Sequence, residues 1–174
     1  MRVLYSLILT AATMTATTIE KLSLDEMTAK STAIVRGKVN FSHVAQHGAV
    51  YYTHYKVTVS ERLKGTTAAQ VDVVMPGGRI GKSEQTFSGI PTFEANSEVV
   101  LFLWTSKGGL THVIGLGQGI FNVSKDVAGQ TILSRGAIRE GMVDARTGRP
   151  VEDAGIRMTM DELQGRIRGG VVTK

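Results

Sequence analysis

The stretch FEANSEVVLFLW, from Phe93 to Trp104, decides the fold of this chain. A polar turn leads into six consecutive apolar residues, rich in β-branched and aromatic types, and Thr105 then ends the run. A run of this length and composition is typical of a strand buried on both faces. We therefore expect residues 98–104 to form the central strand of a β-barrel or β-sandwich.

Strands are predicted on both sides of this run. Ala33–Ala45 and Val50–Leu63 are long segments that predict a hairpin with Gly48 at its tip. Residues 76–92 form a long Gly-rich connection, with a short strand near Gln85–Phe87, and a loop of this length is either a binding element or mobile. The remaining predicted strands are Val71–Met75, Leu110–Gly115, Gly119–Val123 and Gln130–Leu133.

Two short helices are predicted near the ends of the chain. Ser23 and Glu26 have the spacing of a capping box at a helix over residues 22–29. Thr159 and Glu162 repeat that spacing in a terminal helix over residues 158–168. At 174 residues the chain has room for one domain. We expect this β domain over residues 19–134, followed by a C-terminal extension over 135–174 that begins as an irregular arm.

The hairpin has one apolar and one polar face when Val39 pairs with Val57 and Phe41 pairs with Tyr55. This register requires either a three-residue loop at 47–49 or a bulge. The polar face then carries several basic residues that suit an anionic partner. Tyr51 and Tyr55 fall on the opposite face, however, so this interpretation leaves the polar face without aromatic side chains and favours a solvated sheet.

The first residues predict export. Val3 to Ala16 is an apolar run of about 14 residues after Arg2, which is typical of a signal peptide and shorter than a membrane span. We expect a signal peptide at residues 1–16, cleaved near Ala12 or Ala16, with no transmembrane segment after its removal. A buried N-terminal helix is the alternative. The chain has no cysteine, so a periplasmic or extracellular domain would be held together by packing alone.

The charge distribution argues against a nucleic-acid partner. The formal net charge is +5, but residues 17–134 carry 11 basic and 9 acidic residues, and residues 135–174 carry 8 and 6. The two signs are interspersed in both parts. A nucleic-acid-binding protein is expected to cluster its basic residues in a stripe or patch. We therefore expect a protein or cell-envelope partner and no nucleic acid.

Three segments together resemble netrin-like modules, the OB-type barrels of tissue metalloproteinase inhibitors and their bacterial relatives. These are Ile34–Val39, Tyr55–Gly65 and the strand at 98–104. The chain is also similar to a set of uncharacterised exported bacterial proteins with Gly-Gly, Gly-x-Pro-x-Phe and Val-Leu-Phe-Leu blocks. The resemblance covers residues 31–123 and implies a single OB-like barrel of five to seven strands. The animal inhibitors chelate zinc through an N-terminal cysteine, which this chain lacks, so inhibition by that route does not carry over.

The sequence predicts neither a cofactor nor a metal ion. Residues 76–83 approach a phosphate-binding loop, but Pro76 stands where that loop needs glycine and no helical pattern follows. His43 and His47 lie about 12 Å or more apart on an extended strand. In the predicted register, His43 and His54 point to opposite faces. No serine stands in the setting of a hydrolase nucleophile.

We therefore expect a non-enzymatic β-barrel that binds a protein or cell-envelope partner, with a protease-associated regulator as the narrower version. Its contacts would come from the 76–92 connection, the hairpin tip or the C-terminal arm. The alternative is a metal-dependent or other hydrolase that uses His54 or His112. The candidate partner-binding residues are Arg36, Lys38, His54, Lys56, Arg79 and Lys82.

Overall fold

The computed structural model describes residues 18–171. Strands account for 51% of the structure, alongside two short α-helices in this described part, which confirms the mainly β class. The expected signal peptide at residues 1–16 lies outside the described residues. Within 18–171, none of the helices has the length and apolar character needed to cross a membrane.

Residues 18–171 contain thirteen β-strands and two α-helices. The strands are β1 (Ile19–Lys21), β2 (Ala33–His47), β3 (Val50–Lys64), β4 (Gln70–Pro76), β5 (Gly78–Ile80), β6 (Ser83–Gln85), β7 (Glu98–Thr105), β8 (Thr111–Val113), β9 (Ile120–Lys125), β10 (Thr131–Arg135), β11 (Met142–Asp144), β12 (Pro150–Val151) and β13 (Ile156–Thr159). The α-helices are α1 (Leu24–Lys30) and α2 (Met160–Val171).

The main sheet has eight strands in the order β13-β10-β9-β7-β2-β3-β4-β8. Strand β7 also pairs with β8, so that β2, β3, β4, β8 and β7 pair in a closed cycle. The strands β1, β11 and β12 form a separate small sheet, and β5 pairs with β6 in a hairpin. Two of these short strands, β11 and β12, lie in the segment predicted as an irregular arm, and that prediction is wrong there.

Strand β7 is buried on both faces, as its composition predicts. Val99 to Leu103 are at most 1% exposed. Val99, Leu101 and Leu103 belong to a cluster whose buried members come from the five strands of the cycle. Val100 and Phe102, on the other face, pack in a second cluster with residues of both α-helices. The two clusters make β7 the strand that joins the two halves of the core.

Both predicted helix caps are present. Ser23 and Glu26 form a reciprocal capping box at α1. The Glu162 amide donates to the Thr159 hydroxyl, and the Thr159 amide donates to the Glu162 carboxylate. The terminal helix begins at Met160, two residues later than predicted, because Ile156–Thr159 pair with β10. The extension beyond residue 134 therefore shares the sheet and the core of the preceding residues.

The hairpin ladder has three register shifts, and the one beyond Val39 changes the predicted pairing of its outer half. Val39 pairs with Val57 as expected, but Phe41 lies opposite Lys56, not opposite Tyr55. The register shifts between Val39 and Phe41, so Asn40 is the extra residue of a β-bulge. His47 then pairs with Val50 across a two-residue turn. The structure does contain a bulge, but it lies at Asn40 and removes the predicted pairing of Phe41 with Tyr55; the three-residue loop is wrong.

The turn before β7 holds the bulge in place. The Val39 amide donates to the Ser97 carbonyl at 2.9 Å, and the Asn96 amide donates to the Val39 carbonyl at 2.7 Å. Both backbone groups of Val39 are therefore used by this turn. Strand β2 pairs with β7 only as far as Lys38 and afterwards runs beside β3. The bulge thus coincides with the point where β2 leaves β7.

The C-terminal arm is attached to the sheet by a buried ion pair. Arg135 donates to both carboxylate oxygens of Asp153, at 2.5 and 3.0 Å, and the two side chains are 7% and 4% exposed. The Ile138 amide donates to the same carboxylate. Hydrogen bonds from Arg135 outweigh the opposing effect of burial and lower the pKa of Asp153 to about 2.

A pair of cysteine substitutions tests the register. Because Ala45 lies directly opposite Tyr52, Ala45→Cys with Tyr52→Cys is expected to form a disulfide on mild oxidation. Ala45→Cys with Tyr51→Cys, the pair that lies opposite without the bulge, is the control. It should stay reduced because the two side chains point to opposite faces. The measurement is free-thiol titration in a chain that has no other cysteine, and bridging of the control pair would contradict the bulge.

Substitution of Asp153 tests the buried ion pair. Asp153→Asn should lower the free energy of unfolding by about 3–5 kcal/mol at pH 7, because it leaves the Arg135 charge buried without its counter-ion. The difference from the wild type should shrink as the pH falls from about 4 to 2, because the carboxylate of the unfolded wild type takes up a proton in this range while that of the folded chain stays largely ionised down to its pKa of about 2. Urea denaturation measures both effects. Glu152→Gln, an exposed neighbour, is the control and should change little.

Candidate functional site

The bulge gathers histidines on one face of the sheet. Beyond Asn40, the residues Phe41, His43 and His47 take the face that carries Lys56 and His54, because paired residues of adjacent strands share a face. His43 lies directly opposite His54. The prediction that these two histidines point to opposite faces is therefore wrong.

Three further strands extend this face. Val74 of β4 lies between His54 on β3 and His112 on β8. Trp104 of β7 lies opposite His112. All four histidines of the chain thus stand on one face of the closed cycle of strands. The sheet positions them, although they come from three separate strands.

Seven rings form an unbroken series of contacts on this face, and we call them the ring surface. Stacked pairs join Phe41 to His43 at 5.6 Å between ring centroids and His43 to His54 at 4.8 Å. The series continues through His47 and Tyr52 to a stacked pair of His112 and Trp104 at 4.9 Å. The members are Phe41, His43, His47, Tyr52, His54, Trp104 and His112.

His54 is the most constrained member of the ring surface. It is 7% exposed, and its Nδ1 lies 3.2 Å from an oxygen of Asp72. Lys56 donates to the same carboxylate at 2.7 Å. Burial by itself would raise the pKa of Asp72, but the hydrogen bonds from Lys56 and His54 outweigh it and hold the pKa below its usual value. Asp72 is therefore an ionised acceptor at neutral pH.

This carboxylate determines which nitrogen of neutral His54 carries the proton. An ionised carboxylate can only accept, so Nδ1 of His54 is the donor and Nε2 has a free lone pair. Nε2 of His47 lies 3.1 Å from Nε2 of His54 and donates to it. The result is a polar chain from Lys56 through Asp72 and His54 to His47. It runs from a half-buried position to the exposed hairpin tip.

The structure brings only some of the predicted partner-binding residues together. Lys56 and His54 share the face of the ring surface, and Lys38 lies on the same face opposite Thr58. The charge of Arg36 is compensated by Glu98, whose carboxylate is 2.8 Å from the Arg36 Nε, and by Glu61.

Arg79 and Lys82 lie elsewhere, on the hairpin of β5 and β6. The base of that hairpin packs on the opposite face of β2 and β3, where a Cβ at Gly78 would lie within 3 Å of Val44 and Thr53 side-chain atoms. Arg79 forms an ion pair with Glu84 across the hairpin.

The Gly-rich connection at residues 76–92 contains two short strands, β5 and β6. Its last residues border a cavity of about 600 Å³ that is also lined by residues 135–140.

The interpretation that the polar face lacks aromatic side chains is wrong. Tyr51 and Tyr55 do lie on the other face, but Phe41, Tyr52 and Trp104 belong to the ring surface. The alternation of Phe41 with His43, and of Tyr52 with His54, is a signal that the sequence contains. It indicates a shared face only once the bulge at Asn40 is known.

The prediction of no metal ion depends in part on a register in which His43 and His54 point to opposite faces, and the structure corrects that register. Within residues 18–171, no group of three or more His, Asp or Glu side chains has the arrangement of a metal site. The Nε2 atoms of His47 and His54 face each other, but they supply two ligands and not three. Nε2 of His54, which a catalytic base would use, contacts His47 and no hydroxyl group of residues 18–171.

Removal of Trp104 tests the packing at one end of the ring surface. Burial lowers the pKa of His112, which stacks on Trp104. Trp104→Ala exposes the imidazole to water, so the pKa of His112 should rise towards its ordinary value. Histidine titration by NMR measures the change. Phe41→Ala, at the other end of the series, is the control and should leave the His112 pKa unchanged; an equal shift in both variants would contradict the stacking.

Comparison with known proteins does not add to this geometry. No family model, no curated protein and no solved structure matches the chain. Functional interpretation therefore depends on the residues of the ring surface and on the motifs that the sequence contains.

Proposed function

We propose that this chain is an exported, non-enzymatic module that binds a protein partner of the cell envelope through the ring surface. The observation that carries the proposal is the unbroken series of seven rings on one sheet face. At its two ends Phe41 is 57% exposed and Trp104 is 39% exposed. Exposed aromatic groups in contact with one another on a rigid sheet are typical of an interaction site.

The composition of the ring surface favours a protein as the partner. Tyrosine, tryptophan and phenylalanine are enriched in the central parts of protein interfaces, where they lose little conformational entropy on binding. Here the pairing of β2 with β3 and of β7 with β8, together with the contacts between neighbouring rings, already restricts Tyr52 and Trp104. The partner would therefore meet a surface that needs little reordering.

The charged residues beside the ring surface are typical of the polar rim of a protein interface. Lys56 and Asp72 neutralise each other at 2.7 Å, and Lys38 contributes a single exposed charge next to them. A neutral centre with a small positive rim favours shape and apolar contact over long-range attraction. This pattern supports the expectation of a protein partner and no nucleic acid.

The fold supports a narrower version of the same proposal. A closed cycle of five strands is the number expected of an OB-like barrel, and we propose that architecture for β2, β3, β4, β8 and β7. Residues 31–123 also resemble netrin-like modules. Together with that resemblance, the OB-like architecture favours a protease as the partner. Without a cysteine, the chain would bind such a protease by surface contact and not through its metal ion.

The proposal is tested by binding to the native envelope fraction. The Phe41→Ser, Trp104→Ser double variant should lose at least 10-fold in capture of a discrete partner, because it removes the apolar ends of the ring surface. The matched control is Ile80→Ser with Val127→Ser, which removes exposed apolar side chains elsewhere and should bind like the wild type.

The outcomes of this experiment separate the alternatives. Equal capture by the double variant and the wild type would overturn the ring surface as the site. Insoluble peptidoglycan is the second probe in the same experiment. Binding to it that depends on Phe41 and Trp104, with no protein captured, would overturn the protein partner.

A hydrolase that uses His54 is the second candidate function. The contact between His54 Nδ1 and Asp72 supports it, because a carboxylate at this nitrogen orients a catalytic base. Such an enzyme would need a hydroxyl group or a metal-bound water at Nε2. His112 supports this candidate less, since its ring contacts are with Trp104 and Tyr52.

A further inference from the structure

We propose that His47 and His54 form a binding site for one divalent transition-metal ion, with Zn²⁺ and Ni²⁺ as suitable ions. The site lies at the tip of the β2–β3 hairpin. It is independent of the proposed partner, although both use the same face of the sheet.

The distance between the two facing nitrogens matches a shared ion. Nε2 of His47 and Nε2 of His54 are 3.1 Å apart. Two zinc–nitrogen bonds of about 2.05 Å place their nitrogens about 3.3 Å apart in tetrahedral geometry and about 2.9 Å apart at a right angle. The observed distance falls between these values. An ion would sit beside the line between the two nitrogens, so the ring of His47 would turn until both lone pairs point at it.

Asp72 prepares His54 as a ligand. Its carboxylate accepts from Nδ1 of His54, which leaves the lone pair of Nε2 directed towards His47. Metal-binding histidines commonly donate their other ring N–H to a carboxylate in this way, and this contact orients the ring and raises its basicity. Asp72 is itself held by Lys56 at 2.7 Å. The outer contacts of a metal-binding histidine are thus already in place.

His47 can adopt the tautomer that an ion requires. Its proton at Nε2 must move to Nδ1 before Nε2 can coordinate. The side chain is exposed and lies next to the two-residue turn at Gly48, so solvent can satisfy Nδ1. The ring of His47 also contacts Tyr52, and this contact limits the rotation of the His47 side chain. The change therefore replaces one hydrogen bond to His54 with two metal–nitrogen bonds.

The donor set selects the class of ion. Imidazole nitrogens favour zinc, copper and nickel over magnesium and calcium, which prefer oxygen ligands. Within residues 18–171, no third protein ligand completes the set. Water would occupy the remaining positions, so the ion would stay accessible to an incoming side chain.

The test is calorimetric titration of the purified full chain, without a histidine tag, with Zn²⁺ and separately with Ni²⁺ at pH 7.5. The expected result is one ion per chain in the wild type and at least 10-fold weaker binding in His47→Gln. His47 is exposed, so this variant should keep the fold, and its urea denaturation curve checks that it does. His112→Gln is the matched control, because His112 belongs to the ring surface but lies outside the proposed pair.

NMR provides the second measurement. On addition of Zn²⁺, the Nε2 resonances of His47 and His54 should shift, while the Nδ1–H of His54 should remain. Absence of one-to-one binding, unchanged affinity in His47→Gln, or an equal loss in His112→Gln would each overturn the site. The Phe41→Ser, Trp104→Ser variant should retain the ion, so failure of the partner surface and failure of the ion site are distinguishable.

Discussion

Two hydrogen bonds between Val39 and the turn before β7 set the phase of the outer half of the hairpin. The Ser97 carbonyl and the Asn96 amide take both backbone groups of Val39, and Asn40 is left as the extra residue of the bulge. Because side chains alternate along a strand, one extra residue transfers every later side chain of β2 to the other face. The ring surface exists only because of this transfer.

The same constraint places a buried histidine and an exposed histidine side by side in the ring surface. At its centre, His54 lies next to Val74, which is 1% exposed. His54 donates a hydrogen bond to Asp72, which in turn accepts one from Lys56. Beyond Lys38, β2 no longer pairs with β7, while β3 continues to pair with β4 as far as Tyr52 and the base of the β5–β6 hairpin packs on the opposite face. His47 lies beyond these pairings, next to the exposed two-residue turn. A fixed ligand next to an adjustable one suits the capture of an ion or the adaptation to a partner.

Most of the fold could be predicted from local patterns. The buried strand β7, the long hairpin and both capping boxes follow from hydrophobic periodicity and from residue spacing within a few positions. Apart from the register of the outer hairpin, the predictions of the fold that are wrong concern short strands such as β11 and the start of α2. These elements depend on pairing with distant strands, as Ile156–Thr159 do with β10, and local composition does not indicate such partners.

The sequence alone determined the class of fold, the central strand and the lack of any thiol chemistry, because these depend on composition and on neighbours along the chain. Only the tertiary structure decided which residues share the candidate site. Local alternation places Phe41 on the apolar face and His43 on the face opposite His54, and one bulge reverses both placements. At that bulge Val39 is hydrogen-bonded to a turn more than fifty residues away in the sequence, and contacts at that distance are visible only when the chain is folded.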